Sequence, residues 1–280
     1  RQMCIRDSTW VMPELPEVET SVRGISSIKN KIIKSIKVNQ SSLRWKVDCQ
    51  KLAQYQEKKV QSVYRRAKYI VISTADSSII LHLGMTGTLR IQRNDSNFFK
   101  KHDHVEIIFK NEKLIFNDPR RFGSMHFTDD FENHFLIRNL GVEPLSEKFS
   151  GEYLYSKIRR SNATIKSLLM NQNLVVGIGN IYANEILFDA KVRPKRRGKR
   201  ILKKEAIKLT ESSKLILNKA INAGGTTLQD FLSPDGNKGY FKIDLKVYGR
   251  NEENCDVCKS SIKLIKQNQR ATYYCPMCQR

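Results

Sequence analysis

Four cysteines near the carboxyl end, Cys255, Cys258, Cys275 and Cys278, follow the spacing C-x2-C-x16-C-x2-C. Two such pairs bring four thiolates to the corners of one tetrahedron, the arrangement of a closed structural Zn²⁺ site. The spacing therefore predicts a small module folded around one zinc, with the IKLIK and ATYYC runs as the hairpin that joins its two knuckles. Four sulfur ligands leave the metal no open position, so this zinc organises structure and takes no part in chemistry. Pairing the same cysteines as disulfides would require a secreted chain. The first residues, RQMCIRDSTWV, contain neither an apolar core nor a small-residue cleavage site, and no run of about 18 apolar residues occurs elsewhere. A reducing, cytoplasmic setting is expected, in which Cys4 and Cys49 are ordinary single cysteines.

Fifty Lys and Arg against 28 Asp and Glu give a formal charge of +22. Self-repulsion of that size is tolerated when the partner is a polyanion, and nucleic acid is the first candidate. A solvated basic surface is the plain alternative; an anionic membrane fits less well, since no long basic amphipathic helix stands out.

Hydrophobic period divides the rest. Leu15, Val18, Val22 and Ile25 recur at helical spacing, with Pro16 in the first turn and glutamates at the positive end of the helix dipole. Beyond Lys31 the period becomes that of strands. YIVISTADSSIILHLG predicts a hairpin turning at residues 75–78, and HVEIIFKNEKLIFND predicts another turning at residues 111–113. Consecutive hairpins imply an antiparallel sheet in two layers. GVEPLSEKFSG, residues 141–151, has the composition of a linker. After it the helical period returns around Ile165, Leu168 and Leu169, then Ile178, Ile181, Tyr182 and Ile186, then a Lys-rich run over residues 203–222. GGTTLQDFLSPDGNKGYF, residues 224–241, is too long for a mere connection and reads as a functional loop.

Several short stretches carry anion-binding chemistry. In NLVVGIGNIYANEILF, residues 173–188, an apolar run, Gly-x-Gly and a helix resemble a dinucleotide turn, but Tyr182 stands where a third small residue belongs. The stretch fits better as a helix amino terminus offering backbone N–H groups to an anion, with Asn180 as an added donor and a nucleic-acid phosphate as the expected anion. NDPRRFG, residues 117–123, sets Arg120, Arg121 and Phe122 on a turn, where arginines can hold a polyanion and an aromatic can wedge into a base stack. HLGMTG, residues 82–87, offers Met85 on another turn. QNQR places Arg270 at the tip of the cysteine hairpin, suited to a phosphate. Taken singly, each also fits a core or solvated surface role.

The amino-terminal segment STWVMPELPEVET is the sharpest feature. If translation starts at Met12 and that residue is removed, Pro13 carries a secondary α-amine, whose pKa near ~8 leaves more of it neutral than a lysine. Attack by such an amine on a sugar C1′ forms an iminium, which acidifies the C2′ proton and promotes strand-breaking elimination. Glu14 would handle protons beside it. By itself the segment is also a plain Pro-Glu helix start.

In combination, MPELPEVET, QSVYRRAKY, HLGMTG, KHDHVE, NDPRRFG, LVVGIGNIYANE, GGTTLQDF and QRATYYCPMC run in unbroken order from Met12 to Arg280. They closely resemble the bacterial formamidopyrimidine-DNA glycosylases, which are 8-oxoguanine DNA glycosylase/AP lyases. The resemblance implies an α+β multidomain fold: an amino-terminal two-layer antiparallel β-sandwich, a helical helix-two-turns-helix domain and a carboxy-terminal zinc-finger β-hairpin. It implies excision of oxidised purines opposite cytosine from double-stranded DNA, through base flipping and a proline Schiff base, with β,δ-elimination. Pro13 matches the nucleophile and Glu14 its acid/base partner. Lys68, Asn180 and Arg270 match phosphate contacts, Lys68 and Arg270 standing with the catalytic group. Met85, Arg120 and Phe122 match the residues that fill the space of the extruded base, and His82 and Arg121 complete the expected DNA-binding set. Lys166 matches a lysine that handles the damaged base, and residues 224–241 match the segment that closes over it.

The expected division is a non-native or removed leader, 1–12; a catalytic domain, 13–142; a linker, 143–151; a DNA-binding domain, 152–247; and the zinc hairpin, 248–280. A monomer without membrane partners is expected. The leader departs from the pattern, because an internal Pro13 is a tertiary amide without a usable lone pair. Two alternatives remain: an endonuclease VIII-like enzyme acting on oxidised pyrimidines, and a non-catalytic zinc-containing DNA-binding protein if the leader is retained.

Overall fold

A computed structural model of the chain describes residues 12–96, 98–224 and 245–280. The expected leader lies outside the described residues except for Met12, and the expected lesion loop lies outside them except for Gly224. The described residues form two compact units, one comprising residues 12–13 and 17–134, the other residues 14–16, 135–224 and 245–280.

The first unit is a β-sandwich preceded by most of helix α1 (Leu15–Gly24). One antiparallel sheet has the order β1 (Ser35–Val38), β6 (Asp103–Ile108), β7 (Glu112–Asn117), β5 (Thr88–Arg93). The other has the order β2 (Ser62–Arg66), β3 (Tyr69–Ser73), β4 (Ser78–His82), β8 (Ser124–Thr128). Their facing side chains, Ile70, Ile72, Ile79 and Leu81 from one and Val105, Ile107, Leu114 and Phe116 from the other, share a core with Val18 and Val22 of α1. β-Branched residues at alternating positions suit this pleated, half-buried role.

Both predicted hairpins exist, with turns displaced by one or two residues. The Thr74 N–H donates to the Ser77 carbonyl and closes the first turn at residues 74–77, so Ser78 already belongs to β4. The Phe109 N–H donates to the Glu112 carbonyl, which draws Glu112 and Lys113 into β7. Strands β5 and β8 are not hairpin partners of their sequence neighbours: β5 pairs with β7 and β8 with β4. The segment 83–87 therefore crosses from β4 to the other sheet, and 118–123 crosses back, at the same end of the sandwich.

The second unit is helical and carries the cysteine hairpin. Its helices are α2 (Gly151–Ile158), α3 (Ile165–Leu169), α4 (Asn180–Asp189) and α5 (Lys203–Asn222). Helix α4 is apolar on nearly every side and buried from Ile181 to Phe188, so it forms the centre of this unit. The stretch expected as a linker runs into α2 at its end: Ser150 Oγ accepts from the Tyr153 N–H as the cap of α2, and Gly151 is the first residue of that helix. Strands β9 (Lys263–Gln267) and β10 (Arg270–Tyr274) form the hairpin, joined by Asn268 and Gln269, whose φ values of 47° and 60° a two-residue turn requires.

Gly84 sets the first crossing. Its φ is +64°, and a Cβ there would lie 2.4 Å from the Gly123 nitrogen and from the Phe122 carbonyl carbon. Gly84→Ala should therefore destabilise the chain by at least about 1–3 kcal/mol, the cost of forcing a side chain into that backbone region, measured by urea denaturation.

Candidate active site

At the crossing end of the sandwich, short loops collect the first group of functional side chains. Lys68 occupies the two-residue turn between β2 and β3, where Arg66 pairs with Tyr69. Tyr69 pairs in turn with His82, which pairs with Ser124, so the ends of four strands meet there. Asp118, fully buried, ties the crossings together. Its Oδ1 accepts from Thr86 Oγ1 at 2.5 Å and the Arg120 N–H at 3.3 Å, and its Oδ2 accepts from the Gly123 N–H at 2.7 Å. This clamp leaves Arg120, Arg121 and Phe122 exposed, with the Arg120 guanidinium 4.8 Å from the centre of the Phe122 ring. Met85 stands on the neighbouring loop, half-buried.

His82 is not a cation in this setting. Its Nδ1 accepts from the Gly84 N–H at 3.0 Å, and burial, aided by the positive charges of Lys68 and Arg44, pushes its pKa down to about 4. It acts as a neutral acceptor that shapes the loop.

In the second unit the anion at the Gly-x-Gly turn is the chain's own. The Glu14 side chain is buried against the amino terminus of α4, where Oε2 accepts from the Gly179 N–H at 2.8 Å and the Tyr182 N–H at 3.3 Å, and Oε1 from the Ile181 N–H at 2.9 Å. These are the N–H groups that a helix start leaves without partners, at the positive end of its dipole. The expected phosphate at these donors is thus displaced by a carboxylate that reaches them from elsewhere in the chain. Gly179 is required by contact, since a Cβ would fall 2.3 Å from the Glu14 Cδ.

Asn180, the first residue of α4, belongs to a separate network. The Lys166 ammonium, on a residue 2% exposed, donates to Asn180 Oδ1 at 2.7 Å, the Ala271 carbonyl at 2.8 Å and Thr272 Oγ1 at 2.7 Å. Three donors meet three acceptors. Burial, then the charge of Arg270, pushes the Lys166 pKa down to about 7, with Glu14 pulling the other way. The Asn180 side chain also lies beside the Tyr248 hydroxyl. Arg270 begins β10 and is exposed beside this network.

The four cysteine Sγ atoms all lie within 4.8 Å of one another, with Cys258 and Cys275 3.3 Å apart. Such a cluster fits one tetrahedral zinc. The module needs it, because among the described residues its buried cluster, which borrows Phe188 from α4, adds just Val247, Cys255, Ile262 and Cys275. The hairpin is also fastened to α4, where the Tyr273 N–H donates to Asn184 Oδ1 at 2.9 Å.

Three family models match in succession: the formamidopyrimidine-DNA glycosylase N-terminal domain over residues 12–125, the H2TH domain of the same glycosylase over 140–232, and a zinc finger found in FPG and IleRS over 252–280. The formamidopyrimidine-DNA glycosylase of Histophilus somni strain 129Pt is 46% identical over 271 residues, covering 96% of this chain and 100% of that protein. The chain belongs to the formamidopyrimidine-DNA glycosylase family. The Haemophilus influenzae strain Rd member is 44% identical, covering 96% of this chain and 99% of its own length. Among solved structures, Lactococcus lactis Fpg bound to DNA with an abasic site superposes with a TM-score of 0.85 at 32% identity, covering 95% and 99% of the two chains. The wild-type L. lactis protein bound to DNA containing N7-benzyl-Fapy-dG gives a TM-score of 0.85 at 34% identity, covering 96% and 100%.

The side chains expected at the site thus fall into two groups. Lys68, His82, Met85, Arg120, Arg121 and Phe122 gather at one end of the sandwich; Glu14, Lys166, Asn180, Arg270 and the four cysteines gather in the helical unit. Pro13, half-buried, directly precedes Glu14. Lys166 does not present its ammonium as an exposed DNA contact: all three hydrogens are engaged by protein. Two residues that sequence reading passed over do comparable work. Asp118 clamps the loops, and its place between a strand end and Pro119 is a turn signal. Glu185, buried, accepts from the N–H groups of Lys246, Val247 and Tyr248 at 2.8–3.0 Å, and burial raises its pKa against those bonds. A lone carboxylate in the apolar helix YANEILF was its only mark.

Two measurements follow from this geometry. In the folded chain His82 has its pKa depressed to about 4, so its neutral ring contributes stability above the usual histidine pKa of ~6.5 and that contribution is lost as pH falls toward 4. His82→Gln should flatten the fall in melting temperature across that window. Cys275→Ser should lower bound zinc from about one per chain to none by metal analysis, since the module folds around its metal.

Proposed function

We propose that the chain is a bifunctional glycosylase/AP lyase that removes oxidised purines from double-stranded DNA. The observation that carries this reading is the Pro13-Glu14 pair, with the Glu14 carboxylate held by three backbone N–H groups at the start of α4. With Pro13 as the amino terminus, its nitrogen lone pair attacks C1′ as the glycosidic bond breaks. The C1′–O4′ bond then breaks, O4′ taking a proton, to leave an iminium at C1′ that withdraws electrons from C2′, and proton loss there breaks the strand by β- and then δ-elimination. Glu14 is presented as an acceptor in a fixed orientation and serves as the partner that takes and returns protons at the sugar.

Extrusion of the damaged base costs a few kcal/mol of stacking and pairing. Met85 and Phe122 are assigned to fill the vacated space, Arg120 to face the orphaned cytosine, and Lys68, Asn180, Arg121 and Arg270 to hold the phosphates. His82 orients the Met85 loop. Lys166 orients Asn180 and anchors β10, while one structural zinc on Cys255, Cys258, Cys275 and Cys278 stiffens the hairpin. The working division is a leader, 1–12, a catalytic domain, 13–142, a linker, 143–151, a DNA-binding domain, 152–247, and the zinc hairpin, 248–280. The chain acts as a monomer on the bacterial chromosome in the cytoplasm. Among the described residues no helix is long and apolar enough to cross a membrane.

Borohydride trapping on a duplex with 8-oxoguanine opposite cytosine tests this directly. Protein beginning at Pro13 should give a covalent adduct at that residue, and the chain as written, with Pro13 internal, should give none. Pro13→Gly at that terminus should cut trapping at least about tenfold while duplex binding stays, because binding does not use the nucleophile. Undiminished trapping would remove Pro13 from its role, and preferential action on oxidised pyrimidines would favour the endonuclease VIII-like reading.

A further inference from the structure

The connection between α4 and α5 carries a concentration of charge that the lesion chemistry does not use. In KVRPKRRGKRILKK, residues 191–204, nine of fourteen residues are Lys or Arg and none is acidic. Backbone pairing lays this stretch against the turn between α2 and α3. The Ile165 N–H donates to the Arg196 carbonyl at 2.7 Å, the Gly198 N–H to Ala163 at 2.9 Å and the Lys199 N–H to Ser161 at 2.9 Å. Lys195, Arg197, Lys199 and Arg200 are thereby brought beside Arg159 and Arg160, and all six are exposed.

The nearby carboxylates are already engaged. Arg196 turns inward and binds Glu205 through both oxygens at 2.5 and 2.7 Å, and Lys203 reaches Glu152 at 3.4 Å. None of the six exposed cations makes an ion pair among the described residues. Holding six like charges on one surface opposes folding unless a polyanion neutralises them. The stretches 159–163 and 191–204 contain no aromatic residue, so the surface lacks the stacking platform used for single strands. Leu202, at 54% exposure, is the one large apolar side chain exposed in those stretches, too little for burial in a lipid interface.

We propose that this surface is a lesion-independent contact for duplex DNA, which binds phosphates beyond the segment that carries the damaged base. The inference rests on the reading of the chain as a DNA glycosylase and extends its footprint. Contacts of this kind supply affinity without sequence information and let the protein remain on DNA between lesions.

The test combines Lys195→Ser, Arg197→Ser, Lys199→Ser and Arg200→Ser, with Arg197→Lys/Arg200→Lys as the charge-preserving control. Binding to undamaged duplexes of about 12 and about 40 base pairs is measured against salt, where each phosphate contact contributes roughly 0.9 to the log–log slope. The quadruple variant should lose up to about 3.6 from the slope and at least about tenfold in affinity on the long duplex, with the short duplex little affected and the control behaving as the parent. Trapping on a short lesion duplex should be unchanged. An unchanged slope on the long duplex overturns the proposal. Equal losses at both lengths would assign the surface to the lesion segment instead, and a loss confined to single-stranded RNA or to an acidic protein would name a different partner. A control variant as impaired as the serine variant would show disturbed folding rather than a charge effect, and would also overturn it. Failure of parent protein beginning at Pro13 to trap at all would sink the glycosylase reading independently, since the slopes are read on undamaged DNA.

Discussion

A carboxylate seated on the start of a buried helix organises the helical unit. Helix α4 has apolar neighbours on nearly all sides, so its first N–H groups have no water to turn to. Glu14 supplies the missing acceptors, and each charge-assisted bond of this kind contributes on the order of 1.5–3 kcal/mol. Because Leu15 also donates its N–H to the Gly177 carbonyl and buries its side chain among the same helices, residues 14 and 15 are fixed in position and direction. The residue just before them is the proposed nucleophile. The same three donors that complete the helix thus give a reactive neighbour a defined orientation.

The sandwich unit solves a comparable problem with Asp118. Its side chain bonds to one crossing through Thr86 and to its own crossing through the N–H groups of residues 120 and 123, while its carbonyl oxygen meets His104 Nε2 at 2.7 Å. Polar groups that would otherwise be stranded are used to lock two loops together. What remains outside the clamp is a pair of arginines and an aromatic ring.

Much of this was readable in the sequence where a residue type admits few uses. Four cysteines at that spacing, the period change near Ile165 and the Lys-rich run of α5, whose bounds at residues 203–222 coincide with the helix, each rest on local chemistry. Strands β5 and β8 could not be assigned to partners, because their pairing depends on crossings rather than on alternation within the segment. The anion site at the Gly-x-Gly turn was visible as geometry, but its occupant was not, since Glu14 stands 165 residues away from Gly179 in the chain. Lys166 was expected to handle the damaged base and His82 to contact DNA, and only burial shows that the ammonium of one is engaged inside the protein and that the ring of the other is held toward its neutral form.

The Lys166 network makes the metal and the helix start parts of one thermodynamic linkage. Two of the three acceptors around its ammonium, the Ala271 carbonyl and Thr272 Oγ1, are supplied by β10, the strand that leads directly to Cys275. Withdrawal of zinc would loosen that strand and strand a cation in a desolvated position, leaving Asn180 as its remaining partner. An ion whose closed shell bars it from the reaction can therefore govern how well a remote amide is aligned. With Asn180 assigned to a phosphate as proposed, metal starvation in the cell would register first as a loss of grip on the substrate rather than as a slower chemical step.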